Sequence, residues 1–148
     1  MATWIGHLRV AEALLDAIPA LDETAFTLGN LAPDSGIPNA DWSEFDPPKT
    51  VTHFLRDGGG EDRIYDLEFY RDYLSKITPD DEPRYSYALG YFFHLLSDNL
   101  WVRLVWYTAR AEAAEQFAEQ GKKYIWTLKK DWYDLDFRYV RDYPDSLF

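Results

Sequence analysis

From Arg84 to about Gln120 the chain sustains helical spacing, and Gly121 then supplies a stop. One straight helix of that length is out of proportion to a 148-residue chain, so a kink or break is expected near residues 105–110. The first half of the stretch contains "GYFFHLLSDNLW". Wound as a helix, it places Tyr87, Tyr91, His94, Asp98, Trp101 and Val105 on one face. A histidine and an aspartate four residues apart thus share the face that packing should bury.

The remaining segments also read as helical. Residues 3–18 carry His7, Ala11, Leu14, Leu15 and Ile18 on one stripe, with Thr3 as N-cap and Pro19 as terminator. A short helical turn covers 22–28. Residues 61–76 place Ile64, Leu67, Tyr70, Tyr73 and Leu74 together, and "TPDDEP" ends them. The last helix spans about 122–142, striped by Ile125, Leu128, Trp132, Leu135 and Tyr139. No strand alternation of any length occurs, and no repeat. The expected fold is all-α: a single domain over residues 1–148, a bundle of about five helices with a long loop at 29–50. That loop holds four prolines and two glycines. Leu28, Leu31, Ile37 and Trp42 are the expected anchors that order it, and the triple glycine after His53 marks a flexible turn.

Composition narrows the function classes. Aromatic residues make up 18% of the chain, enough bulky rings to fill a core. The net charge of −11 argues against a long nucleic acid substrate or an anionic membrane as partner. With no cysteine, disulfides and thiolate metal sites are excluded. The N-terminal stretch has no basic leader before an apolar run, and no apolar stretch is long enough to span a membrane. A cytoplasmic location is the simplest expectation. The ending "RYVRDYPDSLF" lacks a polar tail, which raises the expectation of a longer natural chain.

The chain has three histidines, His7, His53 and His94. His7 and His94 fall on apolar helix faces, and His53 borders the long loop. A buried carboxylate at Asp98 needs compensation, because an unpaired one costs several kcal/mol. A divalent cation held by His nitrogens and carboxylate oxygens supplies it. So does a salt bridge to Arg9 or Arg103, and a helical histidine is often a satisfied core residue. Asp34 in "LAPDSG" reads equally as a turn aspartate. Spacing alone leaves these alternatives open.

The ordered set "WIGH", "LGNLAPD", "KTVTHF" and "YALGYFFHLLSD" resembles the zinc-dependent phospholipase C family, which is similar in turn to the single-strand-specific zinc nucleases. The resemblance covers about residues 4–101. It implies that Asp34, His53, His94 and Asp98 hold one zinc, or another divalent transition metal. His7 would contact a second ion, with Asp98 bridging the two. It further implies hydrolysis of a small-molecule or lipid phosphoester by metal-activated water, with Asp34 as candidate general base. The chain departs from the family pattern downstream. No histidine follows His94, so the second set of two histidines and a glutamate has no counterpart, and an N-terminal Trp and a secretion signal are both missing. At most two ions are therefore expected. Asp131, Asp134 and Asp136 either replace missing ligands or form the solvated or salt-bridged side of the last helix. Lys49, Arg56 and Arg103 are basic residues near the set and take no assignment. Two other readings stand beside the hydrolase: a non-catalytic metal-binding helical module, and a helical interaction domain with no metal.

Overall fold

The computed structural model describes residues 2–41, 43–56 and 64–147, apart from the side chain of Lys122. The fold is all-α. Helix α1 (Trp4–Ala17) starts where the Thr3 hydroxyl accepts from the Gly6 amide, as the N-cap reading requires. Helix α2 (Glu23–Leu31) is capped by Asp22, which accepts from the Ala25 amide. A 3-10 turn (Ala32–Asp34) follows, then a two-residue antiparallel hairpin of β1 (Ile37–Pro38) and β2 (Phe45–Asp46). Helix α3 (Lys49–Thr52) is a single turn. Then come α4 (Asp66–Asp72), α5 (Glu82–Trp101), α6 (Tyr107–Glu112), α7 (Ala114–Gln120) and α8 (Tyr124–Asp142). No helix among the described residues is long and apolar enough to cross a membrane.

Helix α5 is the axis of the molecule, and α2 crosses it at close range. The crossing needs two glycines. A Cβ at Gly90 would overlap the Phe26 carbonyl and sit 2.9 Å from the Asn30 nitrogen. A Cβ at Gly29 would overlap the Tyr87 carbonyl in the same way. Against the other side of α5 lies the apolar core of Ile64, Phe69, Leu74, Ala88 and Leu95. Phe69 stacks on Tyr91 there, with ring centroids 4.5 Å apart.

The long helical stretch breaks, but earlier than its spacing suggests. A π-helical segment occupies Val102–Trp106, and a second break falls at Ala113 before Gly121 ends α7 with a positive φ. The 29–50 segment folds into a 3-10 turn and a hairpin, with Leu31 half-buried but two of its expected anchors outside the core. Leu28 and Ile37 are exposed, whereas Asn30 and Pro33 are buried and the hairpin closes the rest. Trp42 and the triple glycine lie outside the described residues.

Two stripes read from spacing are corrected. Around α4, Ile64 and Leu74 are buried as expected, but Leu67, Tyr70 and Tyr73 are largely exposed, and Phe69 turns inward to stack on Tyr91. In α8, Leu135 is exposed and Asp136 is buried. Helix α8 straps across α1 and α5 by polar and aromatic contacts. Trp132 meets Trp101 edge to face, Arg9 lies over the Tyr139 ring, and Tyr139 donates to Glu12.

Candidate metal centre

All five candidate residues converge, from four separate segments. His7 comes from α1, Asp34 from the 3-10 turn and His53 from the end of α3, while His94 and Asp98 lie one turn apart on α5. His7, His53, His94 and Asp98 have no solvent exposure, and the Asp34 side chain retains 9%.

Three donor atoms gather around His53 Nε2. His53 Nε2 lies 3.3 Å from Asp34 Oδ1, 3.3 Å from His94 Nε2 and 3.7 Å from Asp98 Oδ2. His94 Nε2 lies 3.8 Å from the same Asp98 oxygen. Metal–ligand bonds of about 2.0–2.1 Å in a tetrahedron put ligand atoms about 3.3 Å apart. Those four separations are at, or within about half an ångström of, such an edge length, and among the described residues the ligand-type groups whose atoms all lie within 4.8 Å of one another are two triads sharing His94: His7, His94 and Asp98, and Asp34, His53 and His94.

The other Asp98 oxygen faces elsewhere. Oδ1 accepts from the Ala2 amide at 2.8 Å and lies 3.4 Å from His7 Nε2, without hydrogen-bond alignment. The His7 ring stacks on the His94 ring, with centroids 3.8 Å apart and 11° between planes. Imidazole lone pairs lie in the ring plane, so two stacked rings direct them within nearly parallel, separated planes rather than toward one point. His7 and His94 therefore suit two different positions, with the Asp98 carboxylate between them.

Neighbouring groups orient the histidines. His94 Nδ1 lies 2.7 Å from the Asn30 carbonyl. A carbonyl only accepts, so Nδ1 carries the proton and Nε2 keeps its lone pair toward the cluster. The Thr52 hydroxyl sits 2.9 Å from His53 Nδ1, and Tyr91 donates to the Thr52 carbonyl at 2.6 Å. Partners of this kind fix the tautomer and ring angle of metal-binding histidines. Asn30 reaches His94 because α2 crosses α5 at Gly29 and Gly90, and its amide also donates to the Gly90 carbonyl.

The protonation states suit a cation. Burial, and then the neighbouring His7, holds the His94 pKa down to about 3. Burial raises the pKa of Asp34, yet the His53 hydrogen bond and the fields of His94, His53 and Lys49 outweigh it, so the net shift is downward. Asp98 behaves alike: burial raises it, and the pull of His7 and His94 lowers it further. Two ionised carboxylates thus lie beside a neutral imidazole in a dry interior. Among the described residues six buried side-chain atoms have no hydrogen bond, and three of them belong to the candidate ligands: His7 Nδ1, His7 Nε2 and Asp98 Oδ2. Such atoms cost free energy unless something else engages them. The donor set, its spacing and these orphaned atoms fit a divalent cation, and one such ion balances the two carboxylates in charge.

The sequence alternatives resolve accordingly. Arg9 stacks on Tyr139, and Asp98 is met by imidazoles and the Ala2 amide. Arg56 pairs with Glu68. Asp131 and Asp134 are exposed on α8. Asp136 is buried beside Thr3 and Arg9, with its pKa raised by burial, and among the described residues it joins no cluster of ligand-type groups. Neither Asn30 nor Thr52 stands out in the sequence, and Tyr91 does so only as a member of the face of α5 expected to be buried. Asn30 acts through a backbone carbonyl, which no side-chain pattern encodes. A cavity of about 920 Å³ opens between α1, α5 and α8, lined by Gly6, Val10, Phe93 and Leu100 among others, but none of the five site residues lines it.

No protein-family model matches this chain, and neither the curated proteins nor the solved structures offer a match.

Proposed function

We propose that the protein is a metal-dependent hydrolase of a phosphate ester, a phosphodiester or a phospholipid head group, with a zinc-type ion held by Asp34, His53, His94 and Asp98. The observation that carries this reading is the buried convergence of His53 Nε2 with His94 Nε2 and one oxygen from each of two ionised carboxylates, Asp34 and Asp98, at 3.3–3.7 Å. The resemblance to the zinc-dependent phospholipases C supplies the reaction class. With its coordination expanded past the four protein donors to admit water, such an ion would polarise a phosphoryl oxygen and supply a nucleophilic water at neutral pH.

The residues divide the remaining work. His53 and His94 bind as neutral imidazoles, held at the right angle by Thr52 and Asn30. Asp98 presents one oxygen to them and the other toward His7, where a second ion would bind. Asp34 is the one member of the set with solvent exposure. It therefore faces the side from which water and substrate arrive, and it is the group placed to take a proton from the attacking water.

The test is hydrolysis of bis(p-nitrophenyl) phosphate by the zinc-loaded protein. Slow turnover should appear, cease on chelation, and be absent in Asp98→Ala. The near-complete burial of the ligands favours one second reading, a module in which metal ties α1, the 29–50 segment and α5 together without catalysis. Zinc bound tightly, with no metal-dependent turnover across a panel of phosphoesters, would select it.

A further inference from the structure

A lysine stands at the exposed edge of the metal centre. Pro48 leads the chain into α3, and Lys49 is its first residue. His53 follows one helical turn later, so the two side chains share a face. The His53 amide donates to the Lys49 carbonyl at 2.9 Å, which fixes that turn. The Lys49 ammonium lies 3.8 Å from Asp34 Oδ1, the same oxygen that lies 3.3 Å from His53 Nε2. It also lies 4.8 Å from the centroid of the Phe45 ring on β2, within cation–π range. The 3-10 turn, β2 and α3 thus each contribute one group to this edge: a carboxylate, a ring and a cation.

The separation from Asp34 is too long for a hydrogen bond. Charge and the ring face hold the ammonium, and its hydrogen-bonding capacity toward Asp34 is unspent. The Lys49 side chain is 35% exposed where that of Asp34 keeps 9%, so the cation stands on the solvent side of the carboxylate. Asp34 and Asp98 together balance the charge of one divalent ion. Lys49 then leaves this edge positive, in a chain of net charge −11 whose overall field repels anions. With a divalent ion on Asp34 Oδ1, the ammonium faces another cation across that oxygen, and an anion placed between the two relieves the repulsion. A phosphoryl group is such an anion, and charged donors hold its oxygens well.

We propose that Lys49 is the phosphate-binding cation of the metal centre, its ammonium holding a phosphoryl oxygen of the substrate at the Asp34 edge. This role rests on the hydrolase reading for its purpose, while phosphate binding is measured without turnover.

The direct probe is inorganic phosphate, titrated calorimetrically into the zinc-loaded protein, with bis(p-nitrophenyl) phosphate kinetics alongside. A hydrogen bond to a charged group corresponds to roughly tenfold in affinity. K49Q should therefore bind phosphate about tenfold more weakly and raise KM similarly, with kcat within about threefold. Its zinc affinity should equal or exceed that of the wild type, because a like charge beside the ion is gone. K49R should recover phosphate binding, and Lys76→Gln, exposed after α4, should change nothing. Unchanged phosphate affinity in K49Q overturns the assignment. So does a zinc affinity that falls together with it, since Lys49 would then only hold Asp34 in place; both results leave the hydrolase standing. Phosphate binding that weakens in K49Q, with no metal-dependent turnover in the wild type, keeps the role of Lys49 and removes the hydrolase. A wild type that binds neither zinc nor phosphate overturns both.

Discussion

Replacing Gly90 by alanine tests whether the α2–α5 crossing positions the metal centre. In an ordinary helix interior this change stabilises by about 0.5–1 kcal/mol. Here the new methyl would overlap the Phe26 carbonyl and sit 2.9 Å from the Asn30 nitrogen. Carbon contacts settle at about 3.5–4.0 Å, so α2 must retreat by about 1 Å. The same retreat opens the 2.7 Å contact between the Asn30 carbonyl and His94 Nδ1 beyond the range of a hydrogen bond. Overpacking of this kind costs about 1–3 kcal/mol. Loss of a group that orients a metal-binding histidine costs about 10–100-fold in metal affinity. Urea unfolding of the metal-free protein reads the first effect, and calorimetric zinc titration reads the second. A variant as stable as the wild type, or more stable, with zinc affinity within about threefold, would refute the account of the crossing.

Thr52→Val removes the hydroxyl beside His53 Nδ1; zinc affinity should fall about 10–100-fold, and an affinity equal to wild type would deny Thr52 its orienting role. His53→Ala should abolish most of the rise in melting temperature that zinc confers through linkage, measured by thermal scans with and without the metal. For the metal-free chain, His94 has a folded pKa of about 3 against an ordinary 6.5. The unfolded chain takes a proton that the folded chain refuses, so this contribution is whole above pH 6.5 and shrinks as pH falls toward 3. At about 1.4 kcal/mol per unit the loss at pH 5 is about 2 kcal/mol, and urea midpoints that stay level between pH 7.5 and 5 would contradict it.

What the sequence disclosed follows from which signals are local. Helix periodicity placed α1 and α5, and with them His7, His94 and Asp98, because residues four apart share a face. Asp34 and His53 lie where no period runs, and only the ordered motifs resembling a known family drew them into the set. The structure brings these two to the same point through the 3-10 turn and α3, both held against α5. The stripe around α4 held at Ile64 and Leu74 but failed at Leu67, Tyr70 and Tyr73, which are apolar enough to suggest a buried face. The stacking of Phe69 on Tyr91 decided the orientation instead. Likewise Asp136 looked like surface charge but is buried near Thr3 and Arg9. The break in the long helix was foreseeable from length, but its position depended on packing and fell at Val102–Trp106.

The central claim is that a cation joins four donor atoms drawn from three segments. Crystals grown with zinc and measured at the zinc absorption edge test it most directly. The account predicts an anomalous peak about 2.0–2.2 Å from Asp34, His53 Nε2, His94 Nε2 and Asp98. A map with no peak there, and with these side chains turned to separate neighbours, would contradict it.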